Sequence, residues 1–138
     1  MIVSGAQGKS LTINPGKETI ELALVDENDK ELASTNMDIE TTSLLITLLD
    51  SGVISAENVN REFKREGIML QKIKDVGTCF AGNGNRISIA ILPADEKRTA
   101  SILIGFHNEN KHSSIIIKPK RAAYLSKILT KLVISKIA

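Results

Sequence analysis

The strongest constraint on this fold is an internal repeat, in which residues 22–56 align with residues 102–136 without a gap. Seven of the 35 aligned positions are identical, whereas average residue frequencies would give about two. A duplicated unit restricts the fold because both copies must form the same elements in the same order. The identical pairs are Asn28/Asn108, Ser34/Ser114, Leu45/Leu125, Leu49/Leu129, Val53/Val133, Ile54/Ile134 and Ser55/Ser135, and apolar residues also match at Leu22/Ile102, Leu24/Ile104 and Met37/Ile117.

Each copy predicts a series of antiparallel strands followed by one helix. In the first copy, apolar and polar residues alternate over residues 18–25, as in a strand with one buried face. Gly52 can adopt the positive φ that ends a helix. The predicted elements are strands at 10–14, 18–25 and 31–39, a turn at 26–30 and a helix at 40–52, with Leu44, Leu45, Leu48 and Leu49 on one face.

The second copy shows the same order of elements. Asn83-Gly84 is a strong hairpin signal, and Pro119 suits the first position of a helix, where a backbone N–H group would have no partner. Residues 57–66, between the copies, are polar and predict a short helix or a linker. The predicted elements are strands at 68–76, 87–92, 98–106 and 113–118, then a final helix with Leu125, Ile128, Leu129 and Leu132 on its buried stripe.

We therefore predict an α+β fold of two tandem repeats. Each repeat has three or four antiparallel strands in a sheet, followed by a helix that packs on the sheet. The repeats span about residues 1–56 and 67–138, and together they form a single domain of 138 residues.

Composition and targeting signals predict a cytoplasmic protein. Hydrophobic residues make up 42% of the chain, which suits a packed core. The single cysteine, Cys79, excludes an internal disulfide and favours a reducing compartment. The first residues lack the basic start and apolar run of a signal peptide. No stretch approaches the ~18 apolar residues of a membrane span, so we expect no membrane partner.

Charge is divided unequally along the chain. Residues 1–60 hold 3 Lys/Arg and 10 Asp/Glu, a net charge of −7, whereas residues 61–138 hold 15 and 6, a net charge of +9. The reversal occurs at matched positions of the repeat, for example where Asp38 corresponds to Lys118. Such a split suggests either a polyanionic partner for the basic half or attraction between acidic and basic patches of neighbouring subunits.

This order of elements resembles the Whirly family and the related single-stranded-DNA-binding transcriptional coactivators, in which four strands precede a helix in each repeat. The resemblance covers residues 98–129 and, more weakly, residues 18–49. The Lys-Gly-Lys-Ala-Ala-Leu signature of Whirly proteins is absent, and its nearest fragment is AQGKSL at residues 6–11. The resemblance implies that single strands bind across sheet surfaces and that homo-oligomers pack through helices.

Single-stranded nucleic acid is bound by cations that neutralise phosphates and by rings that stack on bases. The basic half of the chain supplies both kinds of residue. The alternative is that its charges form a solvated face and that both phenylalanines belong to the core. The candidate binding residues are Lys72, Lys74, Phe80, Arg86, Lys97, Arg98, Phe106, His107 and Lys111.

The sequence offers little for catalysis or for a cofactor. His107 and His112 lack the further partners at suitable spacing that a metal site needs. Two histidines in the whole chain leave few groups for acid–base chemistry. Cys79 is typical of a small buried hydrophobic residue. We therefore predict no enzyme activity, no metal and no cofactor.

Three functions remain open from the sequence. The leading hypothesis is a non-catalytic protein that binds single-stranded nucleic acid as a homo-oligomer. The second is a sequestering protein, for example a viral one, that holds a nucleotide-like anion between subunits. The third is a structural or inhibitory protein that binds another protein through a helix or an edge strand.

Overall fold

The computed structural model describes residues 1–69, 71–94 and 98–138, and it contains two four-stranded antiparallel sheets and two helices. The predicted α+β class is confirmed. The first sheet consists of β1 (Ile2–Ser4), β2 (Ser10–Pro15), β3 (Ile20–Val25) and β4 (Glu31–Met37), followed by helix α1 (Ile39–Glu66). The second consists of β5 (Lys74–Phe80), β6 (Asn85–Leu92), β7 (Ser101–Asn108) and β8 (Lys111–Ile117), followed by helix α2 (Pro119–Ile137).

The first hairpin of each sheet turns through the same backbone conformation. Gln7 and Asn83 are both left-handed, with φ of 60° and 61°, and each precedes a glycine with a positive φ. The sequence predicted the Asn83-Gly84 turn but not the Gln7-Gly8 turn or strand β1. A residue with a Cβ adopts this conformation uncommonly, so its occurrence at both places is what a duplicated unit requires.

The strand registers show that the two repeats match with gaps. Leu11 pairs with Leu24 in the first sheet, and Ile87 pairs with Phe106 at the equivalent place in the second. Leu24 therefore corresponds to Phe106, and the gapless alignment with Ile104 is wrong by two residues. The two extra residues lie in the β3–β4 hairpin of the first repeat, because Leu24 and its partner Ala33 are 9 positions apart whereas Phe106 and Ser113 are 7 apart.

Helix α1 continues well past Gly52, where the sequence predicted its end. Gly52 is buried inside the helix, and a Cβ at this position would lie 3.3 Å from Ile89 Cγ2, so the glycine serves close packing. The helix instead ends at Gly67, whose φ of 70° is left-handed. Residues 57–66 are therefore the last turns of α1 and not a separate helix or linker.

Helix α1 is long and apolar enough, by length and composition, to cross a membrane. In this fold Leu45 and Leu49 are fully buried in the core. Leu44, which was predicted to share their face, is 58% exposed, because it lies about 100° around the helix from Leu45. The apolar composition of α1 thus serves a buried side and also leaves apolar side chains at the surface.

The two repeats interlock around one hydrophobic core. Alternation along each strand places apolar residues on the inner face of each sheet. Helix α1 packs on β5, β6 and β7 of the second sheet and along α2, while α2 also contacts β1 of the first sheet. Ser126 on α2 donates a 2.5 Å hydrogen bond to Asp50 on α1. Since each helix reaches the sheet of the other repeat, residues of both repeats belong to the same core.

Candidate nucleic-acid interface

The outer face of the second sheet carries one side chain from each strand in a continuous row. Phe80 pairs with Arg86, Arg86 with His107, and His107 with His112. We call these four residues the outer row. Directly opposed side chains on one face of a sheet lie about 5 Å apart, and Phe80 is 69% exposed at the end of the row. The row therefore presents an aromatic ring, a guanidinium group and two imidazoles on one surface.

The inner face of the same strands explains why Phe106 does not join them. Phe106 pairs with Ile87 and is only 3% exposed. Successive side chains of a strand point to opposite faces, so Phe106 lies in the core while His107 lies outside. The structure thus corrects the expectation that the Phe106 ring is available to stack on a base.

The two histidines contact each other directly. His107 Nδ1 lies 2.8 Å from His112 Nδ1, so one of these nitrogens carries the hydrogen and the other accepts it. On the other side of the ring, Ser88 Oγ lies 2.8 Å from His107 Nε2. A Cβ at Gly105 would lie 2.6 Å from both of those atoms, so glycine leaves room for the contact.

A lysine from the first repeat reaches the same surface. Lys9 Nζ donates a 3.0 Å hydrogen bond to the backbone oxygen of Ser114 on β8. The turn that holds Lys9 lies close to β8, since a Cβ on Gly5 would be 2.8 Å from the oxygen of Ile116. Lys9 lines a shallow groove of about 430 Å³ together with Ser88, Gly105, His107, His112 and Ser114. The groove is therefore built from both repeats.

The environment of His107 favours its neutral form. The pKa of His107 is lowered from the ordinary value of 6.5, first because the ring is partly removed from water and then because His112 and Arg86 oppose a positive charge there. The ring is accordingly neutral at pH 7. In that state it can accept the hydrogen of Ser88 and donate its own to His112, or the reverse.

The other predicted binding residues lie elsewhere. Lys74 is at the opposite end of β5 from Phe80, on the helix side of the sheet, where its ammonium group donates to Ser55 Oγ at 3.4 Å. Lys72 precedes it along the chain and is exposed. Lys111 pairs with Asn108 at the start of β8, one position before His112 and so on the inner side.

Arg98 lies before β7, in a groove of about 470 Å³ that is also lined by Lys118 and Arg121 at the start of α2 and by Gly5 and Ala6 of the first turn. Lys97 lies outside the described residues. Of the nine predicted residues, the structure brings Phe80, Arg86 and His107 together.

Metal-binding and thiol chemistry find little support in the geometry. Among the described residues, no three His, Cys, Asp or Glu side chains converge on one point. Cys79 is buried on the inner face, and burial raises the pKa of its thiol.

Sequence reasoning missed three residues of the site: Lys9, Ser88 and His112. A signal for His112 was present, because a two-residue turn after Asn108 makes His107 and His112 direct cross-strand partners. Ser88 could have been found because it lies two residues after Arg86 on β6, and alternate side chains of a strand point to the same face. Lys9 had no local signal, since it depends on how the repeats pack. No protein-family model matches the chain, and no curated protein matches it.

Proposed function

We propose that this protein is a non-catalytic single-stranded nucleic-acid-binding protein, that it acts as a homo-oligomer, and that the outer face of the second sheet is its contact surface. One observation carries the proposal. The exposed Phe80 ring lies next to Arg86 and His107 in a single row. Sequence-tolerant binding of single strands needs this combination, with rings that stack on bases and cations that contact phosphates.

The non-catalytic part of the proposal follows from the position of Ser88. Its contact with His107 has the distance of a nucleophile and a general base. Acyl transfer also needs unpaired hydrogen-bond donors aimed at the developing oxyanion. Ser88 lies on a central strand, paired with Thr78 on one side and Gly105 on the other, so the backbone around it is engaged in the sheet. The contact therefore suits ligand binding better than turnover.

Fluorescence anisotropy with a labelled single-stranded oligonucleotide tests the proposal. We expect the logarithm of the affinity to fall with the logarithm of salt concentration, by about 0.7 for each phosphate contacted. Phe80→Ala should weaken binding by about 1–3 kcal/mol, roughly 5- to 150-fold, because one stacked base is lost. Ser4→Ala is the matched control, since Ser4 occupies the position of Phe80 in the first sheet. Absence of binding at low salt would remove the proposal.

The helices support the homo-oligomer. Leu44 and Ile54 on α1 are 58% and 63% exposed, and their repeat partners Tyr124 and Ile134 on α2 are each 56% exposed. Large apolar side chains that recur together on one surface mark interaction sites. Matched positions on both helices carry them, so a second copy packed against the helices would cover part of this exposed apolar surface.

Sedimentation velocity over a range of protein concentrations tests this assembly. We expect the wild-type protein to sediment as a dimer or larger species, and Ile54→Asp to shift it towards the monomer because a carboxylate would be buried in the interface. Ile2→Asp is a suitable control, because Ile2 is 65% exposed on the outer face of the first sheet. A wild-type protein that remains monomeric throughout would contradict helix-mediated assembly.

A second candidate function is the binding of a nucleotide-like anion. The groove of about 470 Å³ between the first turn and α2 favours it, because Arg98, Lys118 and Arg121 line it and its volume suits a small ligand. Native mass spectrometry of the purified protein would show an added mass of a few hundred daltons, roughly that of a nucleotide. The absorbance ratio at 260 and 280 nm would reveal the same ligand, because the chain has no Trp and one Tyr. Bare protein in both measurements would exclude a retained ligand.

A further inference from the structure

We propose that Ser88, His107, His112 and Lys9 form a proton-coupled phosphate subsite, in which the histidine pair takes up one proton when a phosphate group binds. This inference deepens the proposed function and rests on it for the source of the phosphate. The four residues line one groove: Ser88 contacts His107, His107 contacts His112, and Lys9 is held beside them by its hydrogen bond to the backbone of Ser114 on β8.

The geometry of the pair allows one added proton and resists a second. With both rings neutral, a single hydrogen lies between the two Nδ1 atoms, which are 2.8 Å apart. One further proton can enter at His107 Nε2, because the Ser88 hydroxyl can then rotate and accept a hydrogen bond instead of donating one. A second further proton would place two N–H groups face to face between the rings. The pair can therefore carry a charge of +1 with its contacts intact.

The surroundings oppose that charge until an anion arrives. Arg86 faces His107 from β6, and Lys9 lines the groove from the turn before β2. The groove contains no carboxylate among its described lining residues. Lys111 precedes His112 on β8 but lies on the inner side of the sheet, and with Glu109 of the β7–β8 turn it lines a neighbouring cleft that His107 also borders. The nearest charges are thus mostly positive, and a phosphate oxyanion would neutralise them.

Linkage gives the direction of the pH effect in each state. In the unliganded protein the neutral ring is favoured, since burial and the neighbouring His112 and Arg86 lower the pKa of His107. The unfolded chain then binds more protons than the folded one near the ordinary value of 6.5, so the free protein loses stability as pH falls through that region. A bound phosphate acts oppositely and raises the pKa of His107, so affinity increases as pH falls.

The test measures the His107 ring and the affinity together. The ring Cε1–H signals of the two histidines are followed by NMR as a function of pH, at constant ionic strength, for the protein alone, with inorganic phosphate and with a single-stranded oligonucleotide. His112→Gln assigns the two signals. We expect the ligand to raise the pKa of His107, and affinity to be roughly tenfold greater at pH 5.5 than at pH 7.5, as one proton coupled over about one pH unit requires. His107→Gln should abolish this pH dependence, whereas Arg86→Gln should lower affinity at every pH and keep a pH dependence whose midpoint moves to higher pH, because Arg86 no longer lowers the pKa of His107.

Each outcome separates the subsite from the proposed function. A shift of the His107 pKa with both ligands supports the subsite and the binding of strands. A shift with inorganic phosphate, together with no binding of the oligonucleotide, supports the subsite for free phosphate and overturns strand binding. Oligonucleotide binding that leaves the His107 pKa and its own affinity independent of pH overturns the subsite and leaves the proposed function standing. No response to either ligand overturns both.

Discussion

The outer faces of the two sheets are built on the same hairpins and carry different chemistry. The inner faces of both are apolar and buried, and the first turns share the same left-handed backbone. The duplication has thus kept the residues that form the core, while the solvent face, which contributes little to the fold, has diverged. Function is best sought where the copies differ. The row of the first sheet is Ser4, Ser10, Val25 and Glu31, and that of the second is Phe80, Arg86, His107 and His112.

The largest change in the free energy of unfolding should come from substitutions in the hydrophobic core, where matched residues of the two repeats are expected to behave alike. Leu45 on α1 and Leu125 on α2 occupy matched positions and are both fully buried. We expect Leu45→Ala and Leu125→Ala each to lower the free energy of unfolding by about 2–5 kcal/mol, through lost burial and the cavity left behind. Urea denaturation measures both. A loss below about 1 kcal/mol in one variant only would show that the repeats do not share an equivalent core.

The next effect concerns the glycine under the histidine pair. Gly105 corresponds to Ala23 in the first sheet, because Gly105 pairs with Ser114 on β8 as Ala23 pairs with Ser34 on β4. We expect Gly105→Ala to lower the free energy of unfolding by about 1–3 kcal/mol, because its Cβ would press on His107 and Ser88. It should also change the NMR signal of the His107 ring.

The reverse exchange, Ala23→Gly, controls for backbone effects. It should cost about 0.5–1 kcal/mol through chain entropy, and somewhat more because it also removes a methyl group that is only 3% exposed, and it should leave both histidine signals in place. If Gly105→Ala left stability and the ring signals unchanged, the close contact at His107 would not hold the pair as described.

A smaller effect, on the salt dependence of binding, is expected when Arg86 is replaced by the residue that the first sheet has at the matched position. Arg86 corresponds to Ser10. We expect Arg86→Ser to reduce the salt dependence of oligonucleotide binding by about 0.7 in the log–log slope, as the loss of one phosphate contact requires. Ser10→Thr, on the first sheet, should leave the slope unchanged. Equal slopes in the wild type and Arg86→Ser would mean that this guanidinium group contacts no phosphate.

The smallest expected effect is a change in Tm when the residue that precedes each helix is replaced by alanine. Asp38 Oδ1 accepts a 2.7 Å hydrogen bond from the Thr41 N–H group and caps α1, whereas Lys118 at the matched position makes no such bond. We expect Asp38→Ala to lower the Tm slightly at pH 7 and Lys118→Ala to leave it unchanged. Scanning calorimetry of both variants makes the comparison, and equal Tm changes would contradict it.

The cap should also depend on pH. Hydrogen bonds from Thr41 lower the pKa of Asp38 from the ordinary value of 3.8. Its carboxylate therefore stabilises the fold above pH 3.8, and this contribution is lost as pH falls through the lower pKa of the folded state. The difference in Tm between wild type and Asp38→Ala should accordingly shrink in strong acid, and a constant difference down to that range would contradict the cap.

Local patterns predicted most of the fold, while packing between the repeats left part of the site out of reach. Alternation predicted most of the strands, but it missed β1 and placed at residues 68–76 the strand that the structure has at Lys74–Phe80. Alternation along β7 also separates Phe106 from His107. Gly52 misled the prediction because a glycine can end a helix or permit close packing, and only the contact with the second sheet decides between them. Lys9 was invisible for a related reason, since its role depends on a turn of one repeat meeting the last strand of the other.

We expect the second sheet, and not the first, to contact nucleic acid through its outer face. The most direct test is an amide NMR titration of the protein with a single-stranded oligonucleotide. We expect the amide chemical-shift changes to concentrate on residues of the outer row and on Ser88 and Lys9. The amide signals of residues on the outer face of β1 to β4 should remain unchanged. Changes confined to the first sheet or to the helices would contradict the account.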